Sequence, residues 1–398
     1  MSSLKAYRKQ RVRKIMEQSN VDVLIASLPQ HILYLTGFPS LGATYNGKTQ
    51  NYAVYSAAQD RTYLVISASD APTALECSDE VELVCHGSFH FDIENPDEPF
   101  SARLAAQIAH REPSQPDAVI EALRRCGAQR ARVAFDESRT PFPTYLKVRD
   151  ALPEAEFVPG VPVFEEIRCI KHPDEVAGIE RSTHIAEDAL LAAIEGIRVG
   201  HSEHDIEMSY RAEVAKREAS ALFCTCTVDP RTAYSDSVCT RTQKVHDGSV
   251  IRFDYGANYE FYCSDLARTV LVGKPDARVE RDYRYILDGL WAAEAAMKPG
   301  VPASEAYEAA MAAVRRGIPG YTRHHCGHGI GIQINDIPSI APSASRPLEE
   351  GMVFCVETPY YVVGRYGIQI EDTVVVTKDG VRRLAHTSND LIYIPART

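Results

Sequence analysis

The sequence predicts a two-part chain of mixed class: an α/β domain over residues 1–160, then an α+β domain over residues 161–398 with a pseudo-twofold repeat. Three observations lead there. At 398 residues the chain is long for one hydrophobic core, so two domains are expected. The N-terminal part alternates helix-like and strand-like segments, the pattern of an α/β domain. The C-terminal part duplicates a unit of helix followed by strand pair, with acids at matching places in both copies.

In the first part, Arg8, Arg11, Val12, Ile15 and Met16 recur at helical spacing, and Val21–Ala26 is a short strand-like run. Further strand signals follow at Asn51–Tyr55, Thr62–Ile66 and Val81–Cys85, with a helix expected around Asp117–Cys126. The run Val158–Val163, with two prolines and a glycine, reads as a hinge.

The duplication begins with Gly196–His201 and its repeat Met297–Val301, each leading into helix-like sequence. Strand pairs follow. The first copy runs Gly248–Asp254 and the second Gly351–Glu357, with a carboxylate six residues after the glycine in both. The returning strands open on Asp265 and Glu371, each bringing a second acid opposite the first, shortly before Thr269 and Thr373. Because strand side chains alternate faces, Val250, Arg252 and Asp254 share a face, as do Val353, Cys355 and Glu357. Packed around a twofold axis, the hairpins would converge four carboxylates. Any single strand acid is ordinarily a solvated one; four in matched apolar strands are not.

Hydrophobic residues make up 45% of the chain and charged residues 24%, as in ordinary globular proteins. A formal net charge of −11 argues against the basic surface that nucleic acid or anionic membrane requires. No apolar run approaches the roughly 20 residues that span a bilayer, and no apolar signal segment follows Met1. The ten cysteines are scattered, and Cys224 and Cys226 lack the spacing of a redox or zinc pair. A reduced, cytoplasmic setting is expected.

Four converging carboxylates cannot all stay ionised without cations. Two divalent metals roughly 3.5 Å apart would resolve the conflict. A neutral ligand is available in His324-His325-Cys326-Gly327-His328-Gly329-Ile330-Gly331, where glycines flanking His328 allow close backbone approach. A lone zinc site is the alternative, but Cys326 and His328 lack a complementary pair elsewhere.

Asp254, Asp265, His328 in Gly-His-Gly-Ile-Gly, Glu357 in Glu-Thr-Pro and Glu371 in Gln-Ile-Glu-Asp-Thr resemble the "pita-bread" metallopeptidase family of aminopeptidase P, prolidase and methionine aminopeptidase, which also includes creatinase. Arg11, Asp22–Ile25, Leu33–Phe38 and the segment Arg168–Glu175 are similar to the N-terminal domain and linker of creatinase and prolidase, so nearly the whole chain is covered. Methionine aminopeptidases lack that domain.

The resemblance implies two divalent metals, one held by Asp265, His328, Glu357 and Glu371, the other by Asp254, Asp265 and Glu371. A hydroxide between them would be the nucleophile and Glu357 the proton acceptor and donor. Oxygen ligands with one imidazole suit manganese, the favoured ion, and also iron, cobalt or zinc. By the same analogy the protein is a homodimer whose N-terminal domain closes the partner's site, with the substrate pocket between that domain and the metals. Tyr45, Asn46, Tyr52, Phe89 and His90 are loop candidates for that role, although ordinary surface residues are the simpler reading.

The pattern also departs from the family. Where its peptidases carry two further histidines, this chain has Ser237 and Asn335; where aminopeptidase P has arginine two residues before the last glutamate, it has Gln369. Serine and asparagine donate hydrogen bonds but are not acids near pH 7. His324 matches the aminopeptidase P pattern and is a catalytic candidate, while Ser237, Asn335 and Arg323 are candidates on the substrate side; His325 and His246 are further spatial substitutes. Three functions follow: an Xaa-Pro dipeptidase or aminopeptidase acting on short peptides, a creatinase-like hydrolase of a small amide or C–N bond, and a retired domain that only binds a partner. Intact ligands weigh against the third.

Overall fold

The structure is a computed structural model that describes residues 3–40, 42, 50–78, 80–274 and 276–398. The chain forms two compact units, Met1–Ile167 and Arg168–Thr398. Tyr45 and Asn46 lie outside the described residues.

The first unit opens with helix α1 (Ser3–Gln18), which buries Arg11, Val12, Ile15 and Met16 on one face. Arg11 tolerates burial because its guanidinium donates to the carbonyls of Glu166, at 2.6 Å, and Ile167, at 3.4 Å. Strands β1 (Val23–Ala26), β2 (Tyr52–Ser56), β3 (Arg61–Ser67), β4 (Val81–His86), β5 (Arg111–Glu112), β6 (Arg132–Phe135) and β7 (Glu156–Pro159) form one mixed sheet in the order β5-β4-β3-β2-β1-β6-β7. The expected helix near residues 117–126 is present as Gln115–Arg125, burying Ala118, Val119, Ala122 and Leu123 against the sheet. Helix Pro29–Thr36, which the sequence reading left unassigned, starts beside Asp136, whose carboxylate accepts from the Ser27 and Leu28 amides at 2.8 Å.

Tyr52 is not a loop residue. It sits in β2, the middle strand of the sheet, where all five residues are buried, and its ring packs edge-on to Phe135 at 6.5 Å. Phe89 and His90 do lie on an exposed connection. The segment read as a hinge is the end of β7 followed directly by helix Val161–Cys169.

The second unit is built on strands β8 (Ser220–Val228), β9 (Val250–Tyr259), β10 (Tyr262–Cys263), β11 (Leu266–Val272), β12 (Gly327–Gly329), β13 (Asp336–Ser339), β14 (Val353–Glu357), β15 (Tyr360–Val362), β16 (Tyr366–Ile368), β17 (Glu371–Thr377), β18 (Gly380–Arg383) and β19 (Ile392–Ile394). Outward from the central β11–β17 pair lie β9 and β8 on one side and β14 and β12 on the other. Helices Pro173–Glu195 and Glu203–Ala215 precede the first half; Ala277–Ala296 and Ala303–Arg315 precede the second. Each half packs its own core, one with Ile185, Leu190, Phe253 and Val270, the other with Val279, Ile286, Phe354 and Val374.

The duplication extends to turn geometry. Gly200 and Gly300 hold positive φ of 92° and 85°, left-handed values that side chains resist, and each precedes a single bridge, Ser202 to Lys244 and Pro302 to Pro347. Antiparallel pairing of Ala267 with Glu371 places the axis between β11 and β17. Rotation about it matches Arg268 with Asp372, Thr269 with Thr373, and Asp265 with Gln369. This corrects the sequence alignment of Asp265 with Glu371: the threonines are the matched pair, and the two acids are offset by two residues. No helix among the described residues is long and apolar enough to cross a membrane.

Candidate metal centre

Four residues form one row across the sheet. Asp254 pairs with Ala267 and Glu357 with Glu371, while Ala267 pairs with Glu371 across the axis. Residues paired directly across antiparallel strands point to the same face. The three acids therefore project together, and the small Ala267 leaves room between Asp254 and Glu371. Asp265 lies two residues before Ala267 and so shares that face. His328 pairs with Cys355, two residues before Glu357, and also shares it.

Gly327 explains why His328 can enter this row. A Cβ at residue 327 would lie 2.0 Å from the Cys355 carbonyl oxygen, so only glycine lets β12 approach β14 there. His328 Nδ1 lies 3.0 Å from the Gly329 carbonyl, which can only accept. The proton therefore sits on Nδ1, and the Nε2 lone pair is left facing Asp265 Oδ2 at 3.6 Å. Behind the sheet, buried Arg268 donates to the Glu371 carbonyl at 2.8 Å and pairs with Asp372, its own mate in the repeat, at 3.0 Å. That contact fixes the backbone of the Glu371 strand.

Asp265, His328 and Glu371 each offer one ligand atom, all mutually within 4.8 Å. Asp254, Glu357 and Glu371 converge on another atom. Gln369 Nε2 lies 3.2 Å from Asp254 Oδ2, 3.3 Å from Glu357 Oε2 and 3.4 Å from Glu371 Oε2. Its carbonyl oxygen accepts from Arg252 Nη1 at 2.6 Å, which settles the orientation of the amide.

The electrostatics follow from burial and crowding. Burial, opposed by Arg252 and aided by Glu357, pushes Asp254 up to about 6. Burial and then the neighbouring carboxylates push Asp265 and Glu371 well above the ordinary range. This is the signature of acids that cannot all be charged together unless a cation joins them. A cluster of carboxylate oxygens and one imidazole nitrogen with its lone pair inward, with only the small Ala267 between two of the acids in the row, fits divalent metal ions.

Around Glu357 the structure brings in His325 rather than His324. His325 Nδ1 lies 3.3 Å from Glu357 Oε1 and accepts from the Gly327 amide at 3.1 Å. Burial first, then His324, Arg323 and His328, holds its pKa down to about 4, so it is a neutral imidazole and the contact is not an ion pair. His324 is exposed and packs edge-on against His325, with ring centroids 4.2 Å apart. Arg323 Nη2 stands 3.8 Å from Glu357 Oε1, and its guanidinium lies over the Tyr361 ring at 5.7 Å.

Ser237 is half-buried in the connection between β8 and β9, and Asn335 is exposed just before β13. Among the described residues, neither makes a hydrogen bond to the five clustered side chains. Arg252, Tyr361 and Gln369 had no assigned role in the sequence reading. The signal available for Arg252 was a charged residue at an inward-facing position of an apolar strand.

Fold and site together define a hydrolase of the pita-bread class that uses metal ions, with a creatinase-type N-terminal domain. A family model described as metallopeptidase family M24 matches residues 177–378, and one described as the creatinase/prolidase N-terminal domain matches residues 8–170. The chain belongs to metallopeptidase family M24 and is a metal-dependent peptidase. It is 32% identical over 233 residues to an Xaa-Pro dipeptidase of Pyrococcus furiosus, covering 58% of this chain and 67% of that protein. An Xaa-Pro dipeptidase of Lactobacillus helveticus is 32% identical over 257 residues, 64% of this chain and 70% of that one. Among solved structures, an Xaa-Pro dipeptidase from Bacillus anthracis superposes with a TM-score of 0.82 at 23% identity, covering 98% of this chain and all of that one, which supports the fold.

Proposed function

We propose that this protein is an Xaa-Pro dipeptidase or aminopeptidase, its catalytic part spanning residues 161–398 and its substrate a short peptide with proline after the scissile bond. The observation that carries this reading is the shared row of Asp254, Glu371 and Glu357 with Asp265 and His328 beside it. In the proposal these five hold two divalent cations, manganese favoured, which when bound supply the Lewis acidity that brings water towards ionisation at neutral pH.

The other steps belong to the chain. Glu357 takes the proton of the attacking water and returns it to the leaving nitrogen. Neutral His325 lines one edge of that carboxylate without donating to it, since its Nδ1 accepts from the Gly327 amide, and Arg323 offers a positive charge to a substrate oxygen beside it. The likeness to dipeptidases named for Xaa-Pro substrates supports the choice of peptide. Ten free cysteines suit a reducing cytoplasm, and a homodimer follows the family analogy.

A second reading is favoured by Ser237 and Asn335, which remove two proton-carrying groups from the expected shell. It is hydrolysis of a small non-peptide amide or C–N bond. The test is a panel of Xaa-Pro dipeptides and longer peptides beside small amides, with manganese or cobalt supplied. Cleavage restricted to Xaa-Pro bonds supports the first reading. Turnover of a small amide with every proline peptide left intact replaces it with the second.

A further inference from the structure

The repeat places Arg252 and Gln369 at positions whose mates are Cys355 and Asp265. Each pair spans the axis, a thiol from the second half meeting an aspartate of the first, and a guanidinium from the first meeting an amide of the second. Cys355 Sγ lies 3.6 Å from the Asp265 carbonyl oxygen, and Arg252 touches Gln369 in the matching place. The backbone is symmetric here and the charge is not.

Arg252 is fully buried and held on several sides. Its Nε donates to the Thr232 carbonyl at 2.9 Å, and Nη2 to those of Tyr234 and Ser235 at 2.7 and 2.6 Å. Nη1 donates to Gln369 and stands 3.6 Å from Asp254 Oδ2. Tyr361 covers the guanidinium at 5.4 Å and donates its hydroxyl to Gln369 Oε1 at 3.3 Å. With its oxygen engaged by both Arg252 and Tyr361, the Gln369 amide has one orientation left, NH2 towards the acids. That nitrogen gathers one oxygen from each of Asp254, Glu357 and Glu371.

We infer that Arg252 and Gln369 form a positioning pair that gathers three of the carboxylates and lowers the affinity of the site for the second of two divalent cations. A fixed positive charge and a donor amide stabilise the Asp254 side without metal, and both oppose a cation there. Among the described residues, the Asp265–His328–Glu371 group has no such guanidinium on its own face; Arg268 lies behind the sheet and donates to the Glu371 backbone carbonyl. The first equivalent therefore binds at that group and the second binds on the Asp254 side. A full charge a few ångströms away, at an effective dielectric of about 20, is enough to separate the two steps by about 100-fold. The inference rests on the reading that these acids hold metal.

Calorimetric titration of the metal-stripped protein with Mn2+ tests it. Wild type is expected to show two steps separated by about 100-fold. Arg252→Met should tighten the second step by at least about 10-fold and leave the first within about 3-fold, while Arg252→Lys, which keeps the charge, should retain the wild-type separation. Gln369→Glu retains the oxygen that Arg252 needs and replaces the donor by an acceptor, so it should tighten the second step even if Arg252→Met fails to fold. A merely structural pair would lower the melting temperature in these variants and leave the Mn2+ steps in place, and that result overturns the inference. Two matched steps in wild type overturn it as well. Absence of any Mn2+ binding overturns the metal reading together with it.

Discussion

In the first half of the C-terminal unit, Gly248 is followed by Arg252 and Asp254; in the second, Gly351 is followed at the same spacing by Cys355 and Glu357. Both strands are buried, pair with a returning strand, and aim their acid at the shared row. What the halves hold in common is backbone: turn glycines, hairpin register, and threonines whose hydroxyls reach across the axis. Thr269 Oγ1 donates to the Gln369 carbonyl at 3.0 Å and Thr373 Oγ1 to the Asp265 carbonyl at 3.2 Å. What differs is chemistry: acid, alanine, guanidinium and amide are distributed unequally over equivalent positions. A duplicated frame supplies the convergence, and its unequal decoration turns convergence into a site.

The largest effect that could break this comparison comes from the row itself. Asp254→Asn and Glu371→Gln are each expected to lower kcat/KM by at least about 1,000-fold while circular dichroism stays native, since each removes a charge and little volume. Wild-type turnover with metal content measured would remove that residue from the site. Next is Ala267→Val. Its repeat mate is Glu371, but a small residue is needed because the side chain stands in the row between two acids. We expect about 100-fold loss of activity, with a stability cost of about 1–3 kcal/mol from overpacking, read by urea denaturation.

The neighbours of Glu357 sharpen the comparison. His325→Gln should reduce kcat by about 10- to 100-fold and His324→Gln by less than about 3-fold, because of the two histidines His325 packs beside the carboxylate, at 3.3 Å, while His324 is exposed. Equal losses would restore His324 to the role that its place in the sequence suggested.

The smallest effect is in stability. Asp254 is raised from 3.8 to about 6 in the metal-free fold. A carboxyl raised on folding contributes stability that is fully present below its unfolded pKa and is lost as pH rises through its folded value. The metal-free protein should therefore melt progressively lower as pH rises from about 4 through about 6, while saturating Mn2+ should cancel that decline. Differential scanning in chelator and in Mn2+ measures both curves, and parallel curves would count against the crowded-acid account.

Much of this site was legible in the sequence because the carboxylates stand at fixed distances from glycines and alternate along apolar strands. Strand periodicity sorts Asp254 and Glu357 onto inward faces without any coordinates. Pairing register is different in kind. Whether Asp265 or Ala267 stands opposite Asp254 depends on how two strands slide against each other, and the intervening turn is too irregular to count across. The same limit hid the contact between Arg252 and Gln369, residues far apart in sequence and brought together only through the β9–β11–β17 ladder. Tyr52 was misplaced although its strand was legible: Asn51–Tyr55 carries the strand signal, and a central strand buries both of its faces, which leaves Tyr52 no place in a loop. His325 was visible, but neighbouring histidines on an irregular segment carry no periodicity to say which one turns inward.

The central claim is that Asp254, Asp265, His328, Glu357 and Glu371 hold divalent metal. An anomalous difference map from crystals grown with Mn2+ tests it most directly. The expected result is manganese density enclosed by these five side chains, with its strongest peak at Asp265, His328 and Glu371. Manganese bound elsewhere in the protein with this cluster empty would contradict it.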